Sequence, residues 1–396
     1  MDPIFRAGLP RSSASGNLPV GAAMLMQAGN SLVTMADRSV WLRTGVLAPA
    51  SSYPAAARLE YLRAHNFSSV SPGSGTGGTT RRLATDGAGR YMLADGDTTN
   101  VRMSSDYGAT WTNVAHGLGA FAATDVAYAG GTWLVVGNNG TTVVGNTSTN
   151  GTSFSGSFNI GSSVSLFSTA TAQIAHSGTL FYVAVGGSDA ANACWSSPTG
   201  LTGSWTNRTA AALGTSFALG AGGGKALVVI ASSSGAYKCT DGASFTSTTL
   251  PFIAGTSARP AYIAGNFVVY QTSSAYALSS DLTTFTQYDM PAGIGIGYQW
   301  AVVGSRLIYL AASLSGIAYT SDGVNWDYQS ASISAGGAVS DAFAADAQSM
   351  VYQASGVATA YRAASSVIAS NYVGRSVLTY ANSNIMNNPY LYYRVK

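Results

Sequence analysis

The sequence predicts an all-β chain folded as a seven-bladed β-propeller, and three observations predict it. Charged residues make up 9% of the 396 positions, with one glutamate (Glu60) and three lysines (Lys225, Lys238, Lys396). An ordinary soluble domain is about 25% charged, and exposed helix faces draw on Glu and Lys, so long surface helices are excluded. The 47 glycines and 22 tyrosines, among many Ser, Thr and Val, suit short strands joined by tight turns. Finally, a short apolar run returns seven times, at spacings of 40 to 49 residues. With 46% of residues apolar, a charge-rich disordered chain is excluded as well.

The seven runs begin at Tyr91, Trp133, Tyr182, Ala226, Phe267, Leu307 and Met350. Their period matches that of four-stranded propeller blades, about 40–50 residues. Each run is almost continuously apolar, as a strand covered on both faces by neighbouring blades should be. Gly-containing turns precede most of them, among them Gly87-Ala-Gly89, Gly130-Gly131 and Gly222-Gly223-Gly224. Helical repeats of this period would need amphipathic stretches of ten or more residues, and the sequence holds none. The ring is expected over 81–370. An N-terminal arm, attachment segment and linker (1–80) precede it, and a C-terminal assembly strand (371–396) follows. The seventh run lacks an evident outer strand, which Ser366–Ala369 or the Trp41 segment could supply to close the ring.

A second repeat falls between the third and fourth strands of most blades. Its fullest form is Ser104-Ser-Asp106-Tyr-Gly108-Ala-Thr110-Trp111. Shorter forms run from Cys239 through Asp241 and Gly242 to Phe245, from Ser279 through Asp281 to Phe285, and from Thr320 through Asp322 and Gly323 to Trp326. Degenerate forms are Ser148-Thr-Asn150-Gly151 leading to Phe154, and Ser196–Gly200 leading to Trp205. The physical roles are readable without a family. Asp accepts backbone N–H groups, Gly takes a positive φ, and the aromatic ring fills the gap between blades. These turns resemble the Asp-box, or BNR-type, repeats of sialidase-like and related propellers. Each supplies one carboxylate, so a calcium loop is not expected, and no metal or cofactor is.

The resemblance to sialidases would imply an arginine cluster, a tyrosine activated by glutamate, and an aspartate acid/base. Glu60 lies before the first repeat, so no such tyrosine–glutamate pair can come from the blades. Asp106, Asp241, Asp281 and Asp322 belong to turns, and Asp95 and Asp97 read as loop chemistry rather than a dyad. His65, His116 and His176 stand in unrelated contexts, without HExxH, CxxC, G-x-S-x-G or a P-loop. The expectation is a non-enzymatic chain. The net charge of +3 comes from dispersed arginines, which excludes nucleic-acid binding by phosphate neutralisation. The densest group (Arg81, Arg82, Arg90 and Arg102 among Asp86, Asp95 and Asp97) reads as a solvated, balanced loop. Cys194 and Cys239 are expected as free, half-buried thiols.

The N-terminus has no secretory signal pattern, and no apolar run is long enough for a membrane helix, so no membrane insertion is expected. Val40-Trp41-Leu42-Arg-Thr-Gly45-Val46 followed by Ser51-Ser52-Tyr53-Pro54 resembles a segment of bacteriophage tail-collar and tail-fibre proteins. An ordinary strand and turn is the other reading of that segment. The C-terminal stretch from Asn382 to Lys396 resembles terminal strands of phage tail proteins that pack on a neighbouring subunit. Together these features suggest a structural protein of a tailed-phage virion. Its ring would be displayed on the tail, baseplate or fibre for assembly or host-surface contact. Its partners would be other virion proteins, copies of itself, or a host-surface glycan or protein. A lectin-like propeller with repeated glycan sites between blades and a degenerate sialidase-like glycosidase are the alternatives.

Overall fold

The computed structural model describes residues 68–72, 82–139, 141–162, 171–187, 193–208, 212–214, 216–255, 259–271, 275–290, 299–304, 306–311, 316–330, 340–346, 349–354 and 359–364. It also describes six short strands nearer the chain ends, at residues 23–26, 32–34, 40–43, 48–49, 372–373 and 390–394. The chain divides into two units, one running from Asn66 to Ala364 and the other joining Met1–His65 to Ser365–Lys396. No helix occurs among the described residues.

The larger unit is the predicted propeller. Blades 1 to 6 are antiparallel four-stranded sheets whose strands follow one another in sequence order, and they start at Arg82, Ala122, Ala172, Phe217, Ala261 and Gln299. The first strand of each blade neighbours the first strand of the next, and that of blade 7 neighbours that of blade 1. These first strands therefore line the axis. The apolar runs of the sequence are the second strands, such as Tyr91–Ala94 and Phe181–Val185, buried along their whole length. Period and patterning meet here: a strand with a blade on either face has no solvent side on which to alternate.

Blade 7 consists of Ser340–Ala345, Ser349–Ala354 and Ala360–Ala364, and its outer strand is Ser68–Val70. Val70, Ser69 and Ser68 pair antiparallel with Ala360, Tyr361 and Arg362. This corrects the expected closure. The Trp41 segment pairs in a different sheet, and Ser366–Ala369 lies outside the described residues. The three-residue strand falls just before the Ser/Gly-rich stretch, where the apolar pattern is too short to stand out. Two buried contacts reinforce the seam, since the Tyr91 hydroxyl lies 3.0 Å from Ser349 O and 2.8 Å from Ser349 Oγ.

The core is a series of apolar layers between consecutive blades. Met92, Val101 and Met103 of blade 1 meet Val126, Trp133 and Val135 of blade 2. Leu134, Val136 and Val143 then meet Ile174, Phe181 and Val183 of blade 3. Cys194 and Cys239 sit in one such layer, between blades 3 and 4, and both are fully buried rather than half-buried. Burial raises both thiol pKa values, which makes them poor nucleophiles.

The smaller unit contains a four-stranded antiparallel sheet in the order Ala23–Met26, Tyr390–Arg394, Val40–Arg43, Leu32–Thr34. Ala48–Pro49 pairs separately with Tyr372–Val373. Tyr390–Arg394 pairs on both sides with strands from the N-terminal part of the chain, Ala23–Met26 and Val40–Arg43. In backbone register, Trp41 stands opposite Arg394 and Leu42 opposite Tyr393. Gly45, Tyr53 and Pro54 lie outside the described residues.

Candidate functional site

The six repeated turns share one hydrogen-bond frame. In blade 6, Asp322 Oδ1 accepts the N–H groups of Val324 and Asn325 (both 2.8 Å) and the Thr320 hydroxyl (2.9 Å). The Gly323 N–H donates back to Thr320 Oγ1 (2.9 Å). Blade 5 repeats this with Asp281 receiving Thr283 N–H (2.7 Å) and Thr284 N–H (2.8 Å), and Ser279 in place of the threonine. Blade 4 does so with Asp241, Ala243 and Ser244, and Cys239 Sγ approaches Asp241 Oδ1 at 3.8 Å. In blade 2 Asn150 occupies the acid position with the same donors, Thr152 and Ser153. In blade 3 Thr199 holds that position without an acid. Blade 1 is one residue longer: Asp106 takes Thr110 N–H (2.8 Å), and Ser104 Oγ takes Gly108 N–H (2.9 Å).

These bonds set the charge of the turns. Donation from the Thr284 and Thr283 amides pulls the Asp281 carboxyl down to about 2. At Asp322, partial burial works upward, but donation from Asn325 and Val324 overrides it and brings the group to about 2. The carboxylates of Asp106 and Asp241 are also lowered, by the donors of their own turns. Such groups are held ionised by the frame and are poorly suited to give up or take a proton near neutral pH.

Each turn also fastens its blade to the one before it. The turn aromatics enter the preceding interface: Trp111 between blades 7 and 1, Phe154 between 1 and 2, Trp205 between 2 and 3. Phe245, Phe285 and Trp326 do the same for the next three interfaces. Trp326 Nε1 donates to the Tyr276 hydroxyl of blade 5 (3.0 Å). The turn glycines lie on the preceding blade too. A Cβ on Gly108 would come within 2.5 Å of Val351, and one on Gly242 within 2.8 Å of Leu180. Several of the dispersed cations complete the seam by donating to turn carbonyls of the next blade. Arg90 reaches Asn150 O (3.2 Å), Arg208 reaches Ala243 O (3.3 Å), Lys225 reaches Ser280 O (2.6 Å), and Arg362 reaches Tyr107 O across the ring closure (2.6 Å). The predicted turn residues are therefore brought to equivalent places around the ring and not to one site.

The Arg/Asp group of blade 1 is not a solvated loop. Arg102 is 1% exposed, with Nη2 2.9 Å from Asp97 and 3.5 Å from Asp95. Burial raises the Asp95 pKa, whereas at Asp97 the amides of Thr99 and Asn100 and the Arg102 guanidinium outweigh burial and lower it. His116 is fully buried: Nδ1 accepts Leu118 N–H (3.1 Å), which leaves Nε2 to donate to Asp97 O (3.1 Å). Burial lowers its pKa, so the ring is neutral. Asp86 and Arg90 form a separate pair at 2.5 Å.

Around the axis, polar side chains serve the free edges of the first strands. Asp125 Oδ2 accepts Ile174 N–H (2.6 Å), and Thr124 donates to Ala172 O (2.9 Å), tying blade 2 to blade 3. Gln173 donates to Phe217 O (2.8 Å) and accepts Leu219 N–H (3.0 Å), tying blade 3 to blade 4. Arg259, just before the first strand of blade 5, reaches further. Its guanidinium donates to Ile174 O (2.9 Å) and pairs with Asp125 (2.5 Å), while its carbonyl accepts Trp300 Nε1. Pro260 passes directly over Gly220, where a Cβ would meet the proline carbonyl at 2.0 Å. Blades 2, 3, 5 and 6 are thereby connected through one arginine.

Beside this crossing is a cavity of about 430 Å³, walled by Ile174, His176, Arg259, Tyr262, Trp300 and Val302. That size is in the range of small-molecule sites, roughly 300–1,000 Å³. Tyr262 lies against Gly222 and Gly223, which have no side chain to displace it. His176 Nδ1 accepts Gly178 N–H (3.1 Å), leaving Nε2 as the protonated nitrogen, and burial lowers its pKa so the ring is neutral. No sequence motif marks this place. His176 stood in the sequence as an isolated histidine and Asp125 carried no motif, and the available signal was the Arg259-Pro260 step before a first strand in a chain short of charge. Among the described residues, no three His, Cys, Asp or Glu side chains gather as a metal site.

No protein-family model and no curated protein matches the chain. Solved structures do. A virginiamycin B lyase from Staphylococcus aureus aligns with a TM-score of 0.55 at 8% identity, over 76% of this chain and 99% of that one. YCF48 bound to D1 peptide aligns at 0.53 and 12% identity, over 76% and 97%. A chain of the mitotic checkpoint complex aligns at 0.55 and 8% identity, over 90% and 99%. At such identities the likeness is one of fold.

Proposed function

We propose that this chain is a non-enzymatic structural protein of a tailed-bacteriophage particle, displaying its propeller for assembly or host-surface contact. The observation that carries this reading is the topology of the two units. The ring is a single insert between the two halves of a smaller unit in which the chain ends pair with each other. Such a plan suits a display module carried on a separate attachment module. The resemblance of the Trp41–Pro54 segment to tail proteins supplies the setting.

Residue chemistry supports a binding role over a hydrolytic one. The turn aspartates are held ionised at separate blade edges, Asp95 and Asp97 are committed to Arg102, and Asp125 is committed to Arg259. A glycosidase needs two carboxyl groups flanking one bond, one of them able to stay protonated. Deleting the gene from the phage tests the proposal. Particles that fail to complete their tails, or that assemble but no longer adsorb, are expected. Normal assembly and normal adsorption would remove the reading. The glycan-binding alternative is favoured by the cavity at the axis, but as one site and not as sites repeated between blades.

A further inference from the structure

We propose that the cavity beside Arg259 binds one neutral sugar residue, at a single site belonging to blades 3, 4, 5 and 6. The inference rests on the host-contact reading above, and gives it a place and a ligand class.

Charge comes first. The one cation on the cavity wall, Arg259, is already neutralised by Asp125 at 2.5 Å. No lysine is among the residues that wall the cavity. An anionic ligand would therefore find no free counter-charge, and a cation no free carboxylate. Two uncharged polar groups, however, have no partner among the described residues: His176 Nε2–H and the Tyr262 hydroxyl. One is a donor, and the other can donate or accept. The exposed apolar part of the wall is Val302, 43% exposed, whereas Ile174 and Trp300 are buried behind the surface at 1% and 7%. A pyranose offers both kinds of surface, hydroxyl groups at its edge and C–H groups on its face, and the half-buried Tyr262 ring and the exposed Val302 side chain suit the latter.

The site is not repeated. At the end of the first strand, the place held by His176 in blade 3 is held by Thr85, Ala129, Gly222, Ile263, Val303 and Ala345 in the other blades. The tyrosine beside it can lie flat because blade 4 presents Gly222 and Gly223 there. Repeated lectin sites would need these groups in every blade.

Saturation-transfer NMR on the full chain tests this with the methyl glycosides of glucose, galactose and mannose, with N-acetylglucosamine, and with N-acetylneuraminic acid as the charged comparator. Binding of at least one neutral sugar is expected, weakened about tenfold by Tyr262→Ala and by His176→Ala, each of which strands a hydrogen-bonding partner of the ligand. Leu201→Ala, on an exposed turn away from the axis, should leave it unchanged. Val302→Asp, at an exposed wall position where folding is not at stake, should abolish it. Absence of neutral-sugar binding, a preference for N-acetylneuraminic acid, or binding indifferent to Tyr262, His176 and Val302 would each overturn the site. Particle association is measured separately: sugar binding by a protein absent from particles would keep the site and remove the virion reading, and the converse would do the reverse.

Discussion

Arg259 Nη2 lies 2.5 Å from Asp125 Oδ2, although the residues belong to blades 5 and 2 and stand 134 positions apart. The carboxylate is 1% exposed and the guanidinium 21%. Removing one member of a buried pair leaves the other charge without compensation and costs about 3–5 kcal/mol; the partial exposure of Arg259 places the expected loss at the lower end. Asp125→Ala also frees the Ile174 amide that the same oxygen accepts. Denaturant melts of Asp125→Ala, Arg259→Ala and the double variant should show the singles strongly destabilised. The double should cost less than the sum of the two. Additive losses would mean that the pair does not couple the blades.

The turn glycines are expected to differ in a graded way. Gly108 has φ +82° and a neighbour at 2.5 Å, whereas Gly130 has φ +57° and open space around it. Alanine at Gly130 should cost about 1 kcal/mol, from the left-handed backbone alone. Alanine at Gly108 should cost that and a clash with Val351, at least about 2 kcal/mol together. Equal melting shifts would show that the turn does not press on the preceding blade.

Asn150 holds the acid position of blade 2 within the same set of donors that Asp322 uses in blade 6. Arg90 also reaches the Asn150 carbonyl. Asn150→Asp should therefore be tolerated without rearrangement and add a few tenths of a kcal/mol, the scale of an exposed charge interaction. A lower melting temperature at pH 7 would contradict the equivalence of the turns.

The lowered carboxyl groups give a pH dependence of definite sign. Asp281 and Asp322, at about 2 in the folded chain, lie below the ordinary value of about 4 in an unfolded one. Their contribution is present above about pH 4 and is lost as the pH falls towards about 2. The Asp281→Asn, Asp322→Asn double variant should show a shallower fall in melting temperature across that window. An unchanged slope would mean the turns carry no proton-linked stability.

The sequence made the ring legible because period and continuous burial are local signals, visible in runs such as Tyr182–Val185 and Phe267–Tyr270. The turn residues were legible for a related reason, since Ser104, Asp106 and Gly108 act within five positions of one another. What could not be read were relations set by closure. Ser68–Val70 acquires its role from Ala360–Arg362, and no pattern three residues long announces it. Arg102 looked like part of a balanced loop because its neighbours in sequence are charged, whereas a charge buried between strands depends on what packs above it. The same holds at the axis, where Asp125, His176, Arg259 and Trp300 share no motif and meet only because four blades converge.

Quantitative mass spectrometry of purified phage particles tests the central claim most directly. Peptides from the blades and from the terminal unit are expected, at an abundance matching a tail component and retained through gradient purification. Peptides found in the infected-cell lysate but absent from purified particles would contradict it.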